Sequence, residues 1–105
     1  MTPEQERSLL VLVDELVNQM HAPVLVPDLR NFVSLIAAEP GLRFQVTPSL
    51  IFHALRDLVD DGLVDHTSLG YALSDTGRGV ADRVRHEEPL VAERAREVVR
   101  EYAVQ

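Results

Sequence analysis

Two linked stretches carry the most structural information in the chain. They are Thr47-Pro-Ser-Leu-Ile-Phe-His-Ala-Leu-Arg-Asp-Leu-Val-Asp-Asp-Gly-Leu-Val64 and Tyr71-Ala-Leu-Ser-Asp-Thr-Gly77. Thr47 suits a helix N-cap and Pro48 the first helical turn, where a missing N–H costs nothing. The apolar spacing that follows predicts a helix over about 48–61, with Leu50, Ile51, Ala54, Leu55, Leu58 and Val59 inward and Gly62 at its end. Ser49, His53, Arg56, Asp57 and Asp60 are left on the other face. Beyond Gly62 the period changes to that of two short strands within 63–74, joined by a turn over Thr67-Ser-Leu-Gly70. Ser74-Asp75 then caps a further helix over about 75–86, with Val80, Ala81 and Val84 buried.

The flanks repeat the pattern. Thr2-Pro3-Glu4 opens a helix from about Pro3 to Met20, with Leu9, Leu12, Val13, Leu16, Val17 and Met20 at helical spacing and Leu10 broadening the stripe. His21-Ala22-Pro23 ends it. Val24-Leu25-Val26, bounded by prolines, reads as a short edge strand. Pro27-Asp28 starts a second helix burying Leu29, Phe32, Val33, Ile36 and Ala37, stopped by Pro40-Gly41. After Pro89, Val91, Ala95, Val98 and Tyr102 form a short heptad-like stripe. With Leu9, Leu12 and Leu16 it is the expected dimer seam, favoured over the bland reading of packing on the first helix. The expected fold class is mainly α with a small β-hairpin (α+β). The expected organisation is one domain over 1–105, with a core at about 24–76 and terminal helices at about 3–20 and 75–104 used for packing or dimerisation.

Three helices followed by a hairpin is the layout of a winged helix-turn-helix. Residues 47–84 resemble the winged-helix repressors of the PadR and MarR type. In those families a helix of the form Leu-x-x-Leu-x-x-x-Gly-Leu-Val runs into a wing that closes on Tyr-x-Leu-Thr-x-x-Gly. Here the closing residues are Tyr71, Leu73, Ser74 and Gly77, with Ser74 where Thr is usual; residues 27–46 match only loosely. The resemblance implies a dimeric transcriptional regulator whose helix at about 48–61 lies in the major groove, with hairpin 63–74 as a short wing. Carried over by position, the DNA-binding residues are Thr47, Pro48, Ser49, His53 and Arg56. Arg43 and Arg78 flank them as phosphate clamps. Arg56 has the chemistry to pair with guanine or phosphate, and Thr47 and Ser49 to hold a phosphate at a helix N-terminus. The bland reading of Arg56 is an i,i+4 pair with Asp60.

Composition sets the limits. The 105 residues are 46% apolar, which supports a globular core, and only 5% aromatic, which makes that core aliphatic. Cysteine is absent, so disulfides and thiolate chemistry are excluded. No apolar run suits a membrane helix, and the acidic start does not read as a signal peptide, so a cytoplasmic protein is expected. Seventeen acids oppose ten bases, all of them arginine, for a net charge of −7. This argues against bulk attraction to nucleic acid, and leaves room for a small local basic face. Residues 40–56 carry Arg43 and Arg56 and no acid, whereas 57–65 carry Asp57, Asp60, Asp61 and Asp65. That acidic run lacks the spacing of a calcium loop, and no His pair has metal-ligand spacing, so no metal or other cofactor is expected. Gly-rich phosphate loops and nucleophile elbows are missing too, and an enzyme is not expected. A wing without arginine, and Asp57 beside Arg56, favour an alternative. It is an acidic winged-helix module that binds another protein as adaptor, complex subunit or antagonist. A small-molecule pocket is expected, if anywhere, between the first and last helices.

Overall fold

A computed structural model gives the structure of the chain; it describes residues 2–37, 39, 44 and 46–103. The elements run α1 (Pro3–Met20), α2 (Val26–Ile36), α3 (Pro48–Asp60), β1 (Val64–Thr67), β2 (Gly70–Leu73), α4 (Asp75–Glu87) and α5 (Pro89–Ala103). The fold is mainly helical with one two-stranded antiparallel hairpin, within the α+β class.

Local chemistry sets the helix starts. Thr2 and Gln5 satisfy each other's backbone: Gln5 N–H donates to Thr2 Oγ1 at 3.2 Å and Thr2 N–H donates to Gln5 Oε1 at 2.9 Å. This reciprocal cap satisfies two groups that a helix end would otherwise leave open. Thr47 caps α3 by accepting from Leu50 N–H, and Ser74 caps α4 by accepting from Gly77 N–H. The second helix begins at Val26, one residue before Pro27, because Leu25 takes the extended cap conformation. The expected edge strand is thereby reduced to one bridge, in which Val24 and Tyr71 exchange both backbone hydrogen bonds at 2.8 Å.

The turn of the hairpin is two residues, Ser68 and Leu69, with Thr67 opposite Gly70. Gly70 lies at φ +123, and a Cβ there would stand 2.4 Å from the Val24 carbonyl oxygen. Only glycine allows β2 to approach Val24 this closely. A similar contact joins the hairpin to α4. Ser74 Oγ donates to the Gly62 carbonyl at 2.6 Å, and Gly77 packs so tightly that a Cβ would meet Leu63 O at 1.9 Å. The segment Ser74–Gly77 thus fixes the start of α4 against the end of α3.

The core differs from the expected plan. α1 is its centre, packed by α3, α4, α5 and β2, and not an addition to a core at 24–76. Leu9, Leu10, Val11, Leu12, Val13 and Leu16 are all at most 1% exposed, so the helix is apolar-packed nearly all round along this stretch. Met20, expected inside, is exposed at the helix end. Leu9, Leu12, Leu16, Ala95 and Val98 are buried, with Val91 and Tyr102 half-buried. Leu9, Leu12, Leu16, Ala95 and Val98 thus lie in the core of one chain, where α5 packs along α1, whereas Tyr102 meets Phe32 of α2. Enclosure also demands partners for the polar groups of α1. Asp14 is buried, and its Oδ2 accepts from Arg85 Nη2 at 2.7 Å. Glu15 accepts from the same guanidinium at 3.0 Å. Burial works against the charge on Arg85, but the hydrogen bonds and charges of Asp14 and Glu15 outweigh it and raise its pKa. Among the described residues no helix is long and apolar enough to cross a membrane.

Candidate nucleic-acid interface

α3 has two faces with different tasks. Ile51, Ala54, Leu55 and Leu58 are buried. Ser49, His53, Arg56, Asp57 and Asp60 are exposed, and Ser49, His53, Arg56 and Asp60 follow one another along a single strip of the helix. Leu50, expected inside, is 45% exposed and borders this strip near its N-terminal end. Phe52 is half-buried against the core.

The N-terminal turn of α3 is built around Thr47 and Pro48, both exposed. Pro48 has no N–H, and the N–H groups of Leu50 and Ile51 are taken by Thr47. Among the described residues the N–H of Ser49 is the free backbone donor of this turn. It lies at the positive end of the helix dipole, where an anion is favoured. Arg56 lies two turns further on. Among the described residues it makes no hydrogen bond and no ion pair, so the i,i+4 pair with Asp60 that the sequence allows is not formed. Its donors face solvent.

The other expected contacts are placed less favourably. Arg78 lies on α4, with its guanidinium 3.7 Å from Asp75 in a solvent-exposed pair. Because α4 starts against the C-terminal end of α3, Arg78 lies toward that end. The Ser49 turn is at the other end, about 18–20 Å away along a helix of 13 residues. Arg43 lies outside the described residues. The hairpin contributes no cation. Its exposed tip is Ser68-Leu69, and His66 stacks on Tyr71 with ring centroids 4.0 Å apart and planes 7° from parallel. The sequence contained the signal for that stack, since a turn over 67–70 already sets His66 opposite Tyr71. Asp57, Asp60, Asp61 and Asp65 are all exposed and form no ion pairs among the described residues.

A second region lies away from α3. An open cleft of about 810 Å³ forms where the C-terminal ends of α1 and α5 meet α2, lined by Gln19, Met20, Asp28, Asn31, Leu35 and Tyr102 among others. Tyr102 Oη donates to the Asp28 carbonyl at 3.1 Å and its ring meets Phe32 edge-on at 5.4 Å. Burial, and then the charge of Asp28, raise the Tyr102 pKa above its ordinary value. No set of three or more His, Asp or Glu side chains among the described residues is placed to hold a metal ion. No known family, characterised protein or solved structure matches the chain.

Proposed function

We propose that the chain is a sequence-specific DNA-binding regulator of the winged-helix type, a non-enzymatic cytoplasmic protein acting as a homodimeric repressor. One observation carries this reading: α3 presents Ser49, His53 and Arg56 on one strip, with Arg56 unpaired and a free N–H at the helix start. A helix offering an unpaired guanidinium and an open N-terminus has the donors that base edges and phosphates accept. The hairpin, joined to the end of α3 through Ser74 and Gly77, serves as a short wing that makes few charged contacts. Two copies on a two-fold site double a modest set of contacts. The surface between them lies outside the α1–α5 seam, which is filled within one chain.

The test is fluorescence anisotropy of the protein against a pool of genomic duplexes at two salt concentrations, with Arg56→Ala alongside. Selective, salt-sensitive binding that the variant loses supports the regulator. Absence of binding at low salt contradicts it.

A second reading rests on the other half of α3. Asp57, Asp60, Asp61 and Asp65 are exposed and unpaired among the described residues, and the hairpin has no cation. This face suits a basic partner protein. A module of that kind binds through the aspartates and is indifferent to Arg56→Ala.

A further inference from the structure

Among the nine arginines of the described residues, Arg78, Arg85, Arg94 and Arg96 pair with acids. Arg7, Arg30, Arg56, Arg83 and Arg100 do not, and of these Arg7 and Arg83 line one cleft of about 350 Å³ between α1 and α4, together with Val80, Val84 and Glu87. Both side chains are exposed, and in a chain with 17 acids against ten bases these two guanidiniums from different helices face one cleft without a protein counterion among the described residues. Glu87 lies in the same cleft but pairs with neither arginine, and Val80 and Val84 give the wall an apolar side.

We infer that this cleft is a binding site for a small organic monoanion, an aliphatic carboxylate whose head bridges Arg7 and Arg83 and whose chain lies on Val80 and Val84. The carboxylate accepts charge-assisted hydrogen bonds from two planar donors, the pairing for which guanidinium geometry is best suited. Charge selects the class. Two arginines and one glutamate leave the cleft a net +1, which a monoanion neutralises. A dianionic phosphate would place excess negative charge beside Glu87. The volume lies at the small end of ligand pockets, in keeping with a short chain. The site is independent of the reading of α3, since none of its residues lies on that helix.

The experiment is a titration of the ¹⁵N-labelled protein with hexanoate, with hexanamide as the neutral match and inorganic phosphate as the dianion control, followed by amide and arginine Nε–H shifts. Arg7→Gln and Arg83→Gln are run in parallel; both positions are exposed, so the fold tolerates the changes. Hexanoate moves the signals of Val80–Glu87 and of Arg7 and Arg83 to saturation, hexanamide does not, and phosphate binds more weakly. Each substitution weakens hexanoate about tenfold or more, as expected when a charged hydrogen-bonding partner is lost. The proposal is overturned if hexanoate gives no saturable shift, if hexanamide matches it, if phosphate binds as well or better, or if the double variant retains the affinity.

Discussion

Gly77 and Gly79 stand two residues apart on α4 and respond oppositely to one added methyl group. At Gly77 a Cβ would stand 1.9 Å from Leu63 O, a backbone atom that moves only with the end of α3 and the hairpin. Gly77→Ala therefore lowers stability by several kcal/mol, in the range of severe backbone and overpacking changes (about 3 kcal/mol or more). At Gly79 a Cβ meets nothing within 4 Å, and the position is interior to the helix and exposed. Gly79→Ala raises stability by about 0.5–1 kcal/mol. Urea denaturation of the two variants beside the parent protein measures both signs. At this scale the sequence is legible where chemistry is local. Thr2, Thr47 and Ser74 stand before helical runs as caps, and they cap. It is less legible where the neighbour is distant. Leu50 and Ile51 both suit the apolar stripe of α3, and the tertiary placement of the helix leaves Leu50 outside.

Among the elements, the joints of α1 with α4 and of α5 with α2 are the ones whose chemistry yields measurable consequences. Arg85 holds Asp14 and Glu15 of α1, with only 11% and 13% of those acidic side chains exposed. Arg85→Ala leaves the enclosed Asp14 without its cation and Glu15 with only the longer 3.8 Å pair to Arg96. The expected loss is about 2–3 kcal/mol, less than the roughly 3–5 kcal/mol of a fully buried pair, because a fifth of the Arg85 side chain remains in water. Arg78→Ala, in an exposed pair at 3.7 Å, changes stability within error. Thermal unfolding of the two variants provides the comparison. Tyr102 supplies a pH signature where α5 meets α2. Its folded pKa lies above the ordinary value of a tyrosine phenol, by burial first and the Asp28 charge second. The neutral phenol thus favours the folded state fully below pH 10, and this contribution is lost as pH rises through the folded value. Stability measured across that window falls with pH, and Tyr102→Phe flattens the fall. Neither joint follows from periodicity. Val91, Ala95, Val98 and Tyr102 showed which side of α5 is covered, but a stripe carries no record of whether its partner is the same chain or a second copy. Asp14 sits among six apolar residues of α1, and its pairing with Arg85 links positions 71 residues apart.

Taken as a whole, the molecule carries a net charge of −7 that is divided sharply along α3: an acid-free N-terminal half with Ser49, His53 and Arg56, then Asp57, Asp60 and Asp61. A radius of gyration of 12.1 Å is slightly below the roughly 13 Å typical of 100 residues, so the terminal helices share one compact body with the hairpin. The order of the elements and most of their limits were legible from caps, prolines and spacing. The central position of α1 was not, because the surroundings of a helix are set by long-range packing. If α3 reads DNA, the aspartates oppose it. Asp57→Asn with Asp60→Asn then strengthens DNA binding by about 1 kcal/mol or less per charge, more at low salt than at high. Under the protein-binding reading the same change weakens capture of a basic partner. Anisotropy at two salt concentrations resolves the direction. A DNA-reading role for the open strip of α3 is decided by the affinity of the parent protein and of Arg56→Ala for duplexes selected from a genomic pool. The expected result is selective, salt-sensitive binding that the variant weakens by about 1–3 kcal/mol, with unchanged thermal stability. Equal affinity of the two proteins for the selected duplexes, or no selection at low salt, would contradict it.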